Sequence, residues 1–320
     1  MNWGFIRPVY VRQVFGYGAT SVIEQSPADK SIPTFLDVPL LLDRGHPLPR
    51  RNWMRYVVVA FVLLVLFGTI AGNNSPQWQT ALRLISAFSM VVLVAVMGVV
   101  TYLTVRDHRA EQQRMMALEE MVQLRRWEPA AAMLEQMLSR PMLNPFNHAQ
   151  ALLYLSTVLA RYHRYEDAIA VHNYLLDELH LDGPAGFAAR LGRAMSMVHE
   201  DHLVDADRAI SELRRMSNDE SAGLTLIEIY RDVKTGHPAE AIELFNGRRD
   251  ILRRQLGHRF ADACALAARA YDLAGQADQA AKTYRLATLL SPAVELSRRY
   301  PEVAKMAEKY PPAPAPAEAA

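Results

Sequence analysis

The sequence predicts an all-α protein, in which a two-span transmembrane helical hairpin is followed by an array of paired helices. Two observations carry that expectation. Between Tyr56 and Val105 there is no Asp, Glu or Lys, and the only Arg is Arg83, whereas the chain beyond Arg106 is densely charged in both signs. In that charged part, similar short stretches with an alanine at a fixed place recur every 35 to 39 residues. The formal net charge of +1 argues against a nucleic-acid partner, which calls for a basic excess or stripe. A single cysteine, Cys264, excludes an internal disulfide and a Cys-rich zinc site.

Residues 1–55 form a leader punctuated by Pro8, Pro27, Pro33, Pro39, Pro47 and Pro49. Its apolar runs are too short for a signal-peptide core, and the order of a cleavable signal is missing. An extended cytoplasmic segment near the membrane is expected, or a small partner-binding segment, since Trp3, Phe5, Tyr10, Phe15 and Tyr17 make it aromatic. The hairpin occupies 56–105. Tyr56 to Gly72 sits at the lower length limit for a span, and Leu84 to Val105 is comfortably long enough at about 1.5 Å per residue across a core of roughly 30 Å. Arg50, Arg51 and Arg55 precede the first span, and Arg106, Arg109 and Arg114 follow the second. That flanking charge places both termini and the repeat domain in the cytoplasm, on the inner side of a cytoplasmic membrane. Gly68 and Gly72 form one GxxxG pair, a weak signal for close helix contact.

Residues 106–310 read as amphipathic helices, with prolines at helix starts and breaks, and 311–320 as a disordered Pro/Ala tail. Five stretches align at Ala130, Ala168, Ala206, Ala241 and Ala280, spaced by 38, 38, 35 and 39 residues. A turn-like stretch leads into each alanine, and a bulky residue follows four positions later. A small residue on each helix of a pair lets the backbones approach, and Ala268 against Ala280 is the expected contact in the last unit. Gly275 suits a left-handed residue ending the first helix. One pair cannot bury its apolar face alone, so the units must stack, with Ala293 to Tyr310 as a cap. A plain helical bundle shares the same periodicity.

The residues Ala268, Tyr271, Gly275, Ala280, Tyr284, Ala287 and Pro292 of the last unit resemble the tetratricopeptide repeat (TPR) family at its characteristic spacings. The second unit follows with Ser156, Tyr165, Ala168 and Leu175. The fourth keeps Gly236, Ala241 and Phe245 but has Ile229 where a small residue is expected. The first and third are degenerate. The resemblance implies a TPR-like α-solenoid whose groove, lined by the first helix of each unit, holds a segment of a protein partner. It would turn Tyr154, Thr157, Arg161, Met195, His199, Tyr230, Lys234, Asp262, Arg269 and Asp272 toward that groove. Met115 and Glu119 stand where a carboxylate-clamp subtype would need basic and amide residues.

No GxSxG, P-loop, HExxH or Rossmann glycine pattern occurs, so no catalytic residue or cofactor is expected. The run His199, Glu200, Asp201, His202 offers two imidazoles but no third zinc ligand at a useful spacing, and a solvated turn explains it. Arg248, Arg249, Arg253 and Arg254 read as a solvated helix face, and Cys264 as core. The expected function is a membrane-tethered scaffold or adaptor, with the lipid bilayer and a protein segment as partners. The alternative is an assembly or biogenesis factor of a membrane complex that acts through the hairpin. Two-span proteins with similar repeats serve in cytochrome c maturation, but with the repeats on the outer side.

Overall fold

A residue with left-handed backbone recurs at one place in every unit. Arg125, His163, Asp201, Gly236 and Gly275 have φ of 57°, 60°, 61°, 76° and 76°, and each lies five residues before an aligned alanine. At each of these turns the next amide donates to the carbonyl five residues back: Arg126 to Met121, Arg164 to Leu159, His202 to Met197, His237 to Asp232, and Gln276 to Tyr271. This is the Schellman closure, which satisfies carbonyls that a helix end would leave orphaned.

The computed structural model describes residues 36–45, 76–217 and 221–311, with continuous side chains from Val94 in the second stretch. Among the described residues there are helices and turns but no strand. A short helix α1 (Val38–Arg44) comes first, then the long α2 (Pro76–Gln123), and α3 (Trp127–Leu138) turns back along it. Three hairpins follow: α4 (Pro145–Arg161) with α5 (Tyr165–Asp177), α6 (Gly183–His199) with α7 (Leu203–Met216), and α8 (Ala222–Thr235) with α9 (Pro238–Gly247). The extra helix α10 (Arg249–Leu256) precedes the last hairpin, α11 (Phe260–Leu273) with α12 (Ala277–Leu290), and α13 (Ala293–Arg299) and α14 (Ala304–Lys309) end the described chain.

Local sequence sets these boundaries. Pro39, Pro145, Pro184 and Pro238 stand in first turns, where no amide is missed. Asp37, Asn144 and Ser221 cap helices by accepting an amide from Leu40, Phe146 and Leu224. The five aligned alanines are fully buried, and so, nearly, are the residues four positions on: Leu134, His172, Ile210, Phe245 and Tyr284. Each hairpin packs through that face, and the first helices pack on one another in order, α4 on α6, α6 on α8 and α8 on α11. The core runs in two parts that meet within α6, between Ala189 and Leu191.

Two features depart from the expected layout. The described part of the leader is not extended: α1 buries Leu36, Val38 and Leu41 against α3 and α5, and Arg164 donates to the Leu36 carbonyl at 2.9 Å. Val38 and Leu41, behind an Asp cap and a first-turn proline, give it a helix with something to bury. The second departure is α2, a single helix of 48 residues that begins before Leu84 and runs past Val105 into the first repeat. Among the residues whose side chains are described, which in α2 run continuously only from Val94, no helix is long and apolar enough to cross a membrane. The expected first span, Tyr56 to Gly72, lies outside the described residues, as do 1–35 and the tail from 312 on.

The turn geometry is testable one residue at a time. A Cβ at Gly275 meets nothing within 4 Å, so Gly275→Ala isolates the cost of left-handed backbone. That cost is about 1–2 kcal/mol, read as a lower unfolding midpoint. Arg125→Gly, at the equivalent turn of the first unit, relieves the same strain at an exposed side chain and should leave the midpoint unchanged or raised. Equal losses at both positions would show that the turns are not equivalent.

Candidate binding groove

The first helices present a row of polar and aromatic side chains near their C-terminal ends. Arg161 and His199 are the last residues of α4 and α6, while Tyr230 and Lys234 end the same face of α8, and Arg269 and Asp272 that of α11. Across this row lies the chain's own C-terminal segment, from Ala293 to Tyr310. Pro292 and Pro301 break it into short pieces, so that it follows the row in steps.

The pairing alternates in sign. Arg161 holds Glu295 at 3.0 Å, and Lys234 approaches Glu302 at 3.6 Å. Asp262, with no exposed surface, accepts from Arg299 at 2.5 Å and from Arg259 at 3.2 Å. Asp272 is bound by Arg269 at 2.8 Å, by the Tyr310 hydroxyl at 3.0 Å and by Lys309. Hydrogen bonds from Lys309 and Tyr310, set against its partial burial, keep the Asp272 carboxyl below the usual carboxylate range. Lys234 also donates to the carbonyls of Val198 and His199 at 2.8 and 3.1 Å, closing the C-terminal end of α6.

At the centre is an aromatic cluster. Tyr165 stacks on His199 at 4.2 Å with planes 2° apart. Tyr300 lies over His199 at 5.7 Å and meets Tyr230 edge-on at 5.0 Å. The Tyr230 hydroxyl sits 3.2 Å from His199 Nδ1 and donates to Glu302 at 3.3 Å. Burial, with the Glu302 charge beside it, pushes the Tyr230 phenol far above its ordinary value, and burial does the same for Tyr300. Burial, then the Lys234 charge, lowers the His199 pKa to about 3, so its ring is neutral at ordinary pH.

Six of the ten residues expected to line the groove touch this segment directly: Arg161, His199, Tyr230, Lys234, Asp262 and Asp272. Arg269 joins through Asp272. Met195 packs against the second core and Tyr154 against the first, while Thr157, on α4, is exposed. His199 is therefore not a solvated turn residue, although Asp201 beside it is exposed. Tyr165, Glu295, Arg299, Tyr300 and Glu302 escaped the sequence reading. Their signal was complementarity: two acids and two bases in the cap opposite two bases and two acids on the first helices.

Elsewhere, the chemistry-bearing residues have ordinary settings. Among the described residues no group of three His, Cys, Asp or Glu side chains could hold a metal. Arg249, Arg253 and Arg254 face solvent on α10, and Cys264 is buried, which raises its thiol pKa to about 12. Comparison with known proteins finds no matching family model, no curated relative and no similar solved structure.

The histidines set a pH dependence. His199 and the fully buried His172 both titrate near 3 when folded, against an ordinary 6.5. The unfolded chain therefore binds more protons below 6.5, and stability falls as pH drops from there. Asp232, raised to about 6 by burial, acts oppositely below that pH, because its protonated form suits its setting. Two histidines outweigh one carboxyl, so the unfolding midpoint should fall between pH 6.5 and 4. His199→Phe should remove one proton from that dependence, up to about 1.4 kcal/mol per pH unit. An unchanged slope in the variant would mean that His199 titrates normally.

Proposed function

We propose that this chain is a membrane-tethered scaffold or adaptor. In this reading a hairpin of Tyr56–Gly72 and Leu84–Val105 holds a TPR-like solenoid at the cytoplasmic side of the membrane, and the face of its first helices binds segments of partner proteins. The observation that carries the binding role is the seating of residues 293–310. A length of polypeptide held across successive first helices, by ion pairs of alternating sign around buried tyrosines, is what a peptide-binding face does. Here the chain supplies one such segment itself, and the α4 end, where Thr157 is exposed, offers a place for another.

The tether rests on length, charge and the place where the chain enters the repeats. Leu84 to Val105 is helical throughout and carries no charge. At 1.5 Å per residue it measures about 33 Å, against a hydrocarbon core of roughly 30 Å. Its described side chains include exposed Val94, Val99, Leu103 and Val105. Helix α1 ends at Gly45, where an added Cβ would lie 3.0 Å from His148 and 3.5 Å from the Leu138 carbonyl. Those residues flank the α3–α4 turn, which Glu111 of α2 also binds. The chain thus leaves and re-enters the repeat domain at one end. A leader and a repeat domain packed together lie on one side of any membrane between them, so the crossings between 45 and 106 must be even in number.

Topology and binding are tested separately. In a Cys264→Ala background, Ser75→Cys should label from outside intact cells, and Asp43→Cys and Ser139→Cys should not; outside labelling of Ser139→Cys would overturn the proposed orientation. For binding, a photo-crosslinking residue at Thr157 should capture a defined partner in native membranes. The same partner should be captured after the hairpin is exchanged for an unrelated one. A partner that follows the hairpin would mean that the chain acts through its spans.

A further inference from the structure

The α3–α4 turn exposes an aromatic, an aliphatic and a cationic side chain close together. Ser139 to Phe146 (SRPMLNPF) exposes Arg140, Leu143 at 43% and Phe146 at 55%, while Met142 alone points inward. Pro141 and Pro145 bracket the turn. Two hydrogen bonds fix it to the long helix: the Leu143 amide donates to Glu111 Oε2 at 3.0 Å, and Asn147 Nδ2 donates to Glu111 Oε1 at 2.8 Å. Exposed apolar side chains are common and need no explanation singly. These two are held in one place by a buried asparagine and a carboxylate, on a helix that continues toward the uncharged stretch.

The continuous helix gives this turn a height. Glu111 lies six residues past Val105, about 9 Å along the axis. Helical side chains lean toward the N-terminus, which brings the Glu111 carboxylate closer still to Val105. The headgroup region on each side of a bilayer is roughly 5–8 Å deep. Helix α3 runs back along α2, so its C-terminal end and the turn after it face the uncharged stretch. Arg106 and Arg109, both exposed on α2, occupy the same level.

We infer that the α3–α4 turn is a membrane-contact loop, with Leu143 and Phe146 reaching into the headgroup–acyl boundary and Arg140 among the lipid phosphates. The occupant is the lipid surface itself. The pairing of an aromatic and an aliphatic side chain with a nearby cation is what partitions at that depth. Contact at a second point, away from the helix axis, removes the freedom of the repeat domain to tilt about α2. This inference rests on the membrane reading above.

The test uses the full chain reconstituted in vesicles of phosphatidylcholine with phosphatidylglycerol, carrying Cys264→Ala and one introduced cysteine bearing an environment-sensitive fluorophore. The positions are Phe146, Val96 within the uncharged stretch, and Leu124, which is exposed and about 28 Å past Val105 at helical rise. Phe146→Cys should show blue-shifted emission quenched more by shallow than by deep doxyl lipids, and Leu124→Cys should resemble water. Val96→Cys should be quenched by deep doxyl lipids, and its failure would sink the membrane reading. If Val96 behaves as lipid-exposed and Phe146 as aqueous, the loop inference alone is wrong. A Phe146 label shielded from both water and doxyl lipid would mean that protein covers the turn, which also overturns it. Circular dichroism of each labelled chain establishes that it is folded.

Discussion

The geometry of the repeats hangs on one backbone constraint, the left-handed residue that ends each first helix. It closes the helix five residues back and reverses the chain, so that an alanine five residues on faces the preceding helix with no volume to spare. A side chain larger than methyl at that alanine would hold the helices apart and undo the packing of the residue four positions later. Glycine is the residue best suited to such backbone, and Gly236 and Gly275 supply it; Asp201 and His163 are of types that enter it more readily than most, and Arg125 holds it against its preference. That the same conformation persists without glycine in the first three units means that burial on both sides of the turn outweighs a local cost of up to about 1–2 kcal/mol. Packing, not the turn residue, is the stronger determinant in the first three units.

The C-terminal segment brings two kinds of attachment to the row of first helices. Leu296, Tyr300, Val303 and Met306 are nearly or fully buried and continue the second core, and a fully buried side chain of the larger aliphatic kind contributes roughly 1.5–3 kcal/mol. The ion pairs do less by number than by position. Lys309 on Asp272 is half in solvent and adds little, as exposed pairs do. Asp262 is different, because a carboxylate with no exposed surface is tolerable only while its guanidinium partners stay. One of those partners, Arg299, comes from the segment itself. The apolar side chains therefore hold the segment, while Asp262 fixes where it lies. A competing peptide would have to supply both the apolar burial and a cation at the Arg299 position.

Much of this was legible in the sequence, and the rest was not for a physical reason. Periodic information survives in one chain: the five alanines gave the register, and a left-handed residue falls five positions before each of them. The faces of the first helices were equally legible, since a helix that buries one side at a period of 3.6 must show the other, and Arg161, Tyr230 and Asp262 do share a surface. What covers that surface was hidden. Arg161 meets Glu295 across 134 residues and Tyr230 meets Glu302 across 72, and separations of that kind leave no period to read. The leader misled for a related reason. Val38 to Arg44 is too short to announce a helix by its own pattern, and its order comes from α3 and α5, elements that follow it by about a hundred residues.

The two ends of the described chain thus play matched parts. Helix α1 closes the first core by lying on α3 and α5, and residues 293–310 close the second by lying on the first helices from α4 to α11. At the amino end the cover is shared with α2, which runs on without proline after Pro76. A helix kinks sharply where proline, a bulge or an inserted side chain interrupts its ladder. No proline interrupts α2 between Val105 and the first repeat, so the uncharged stretch and the first hairpin share one unbroken helix.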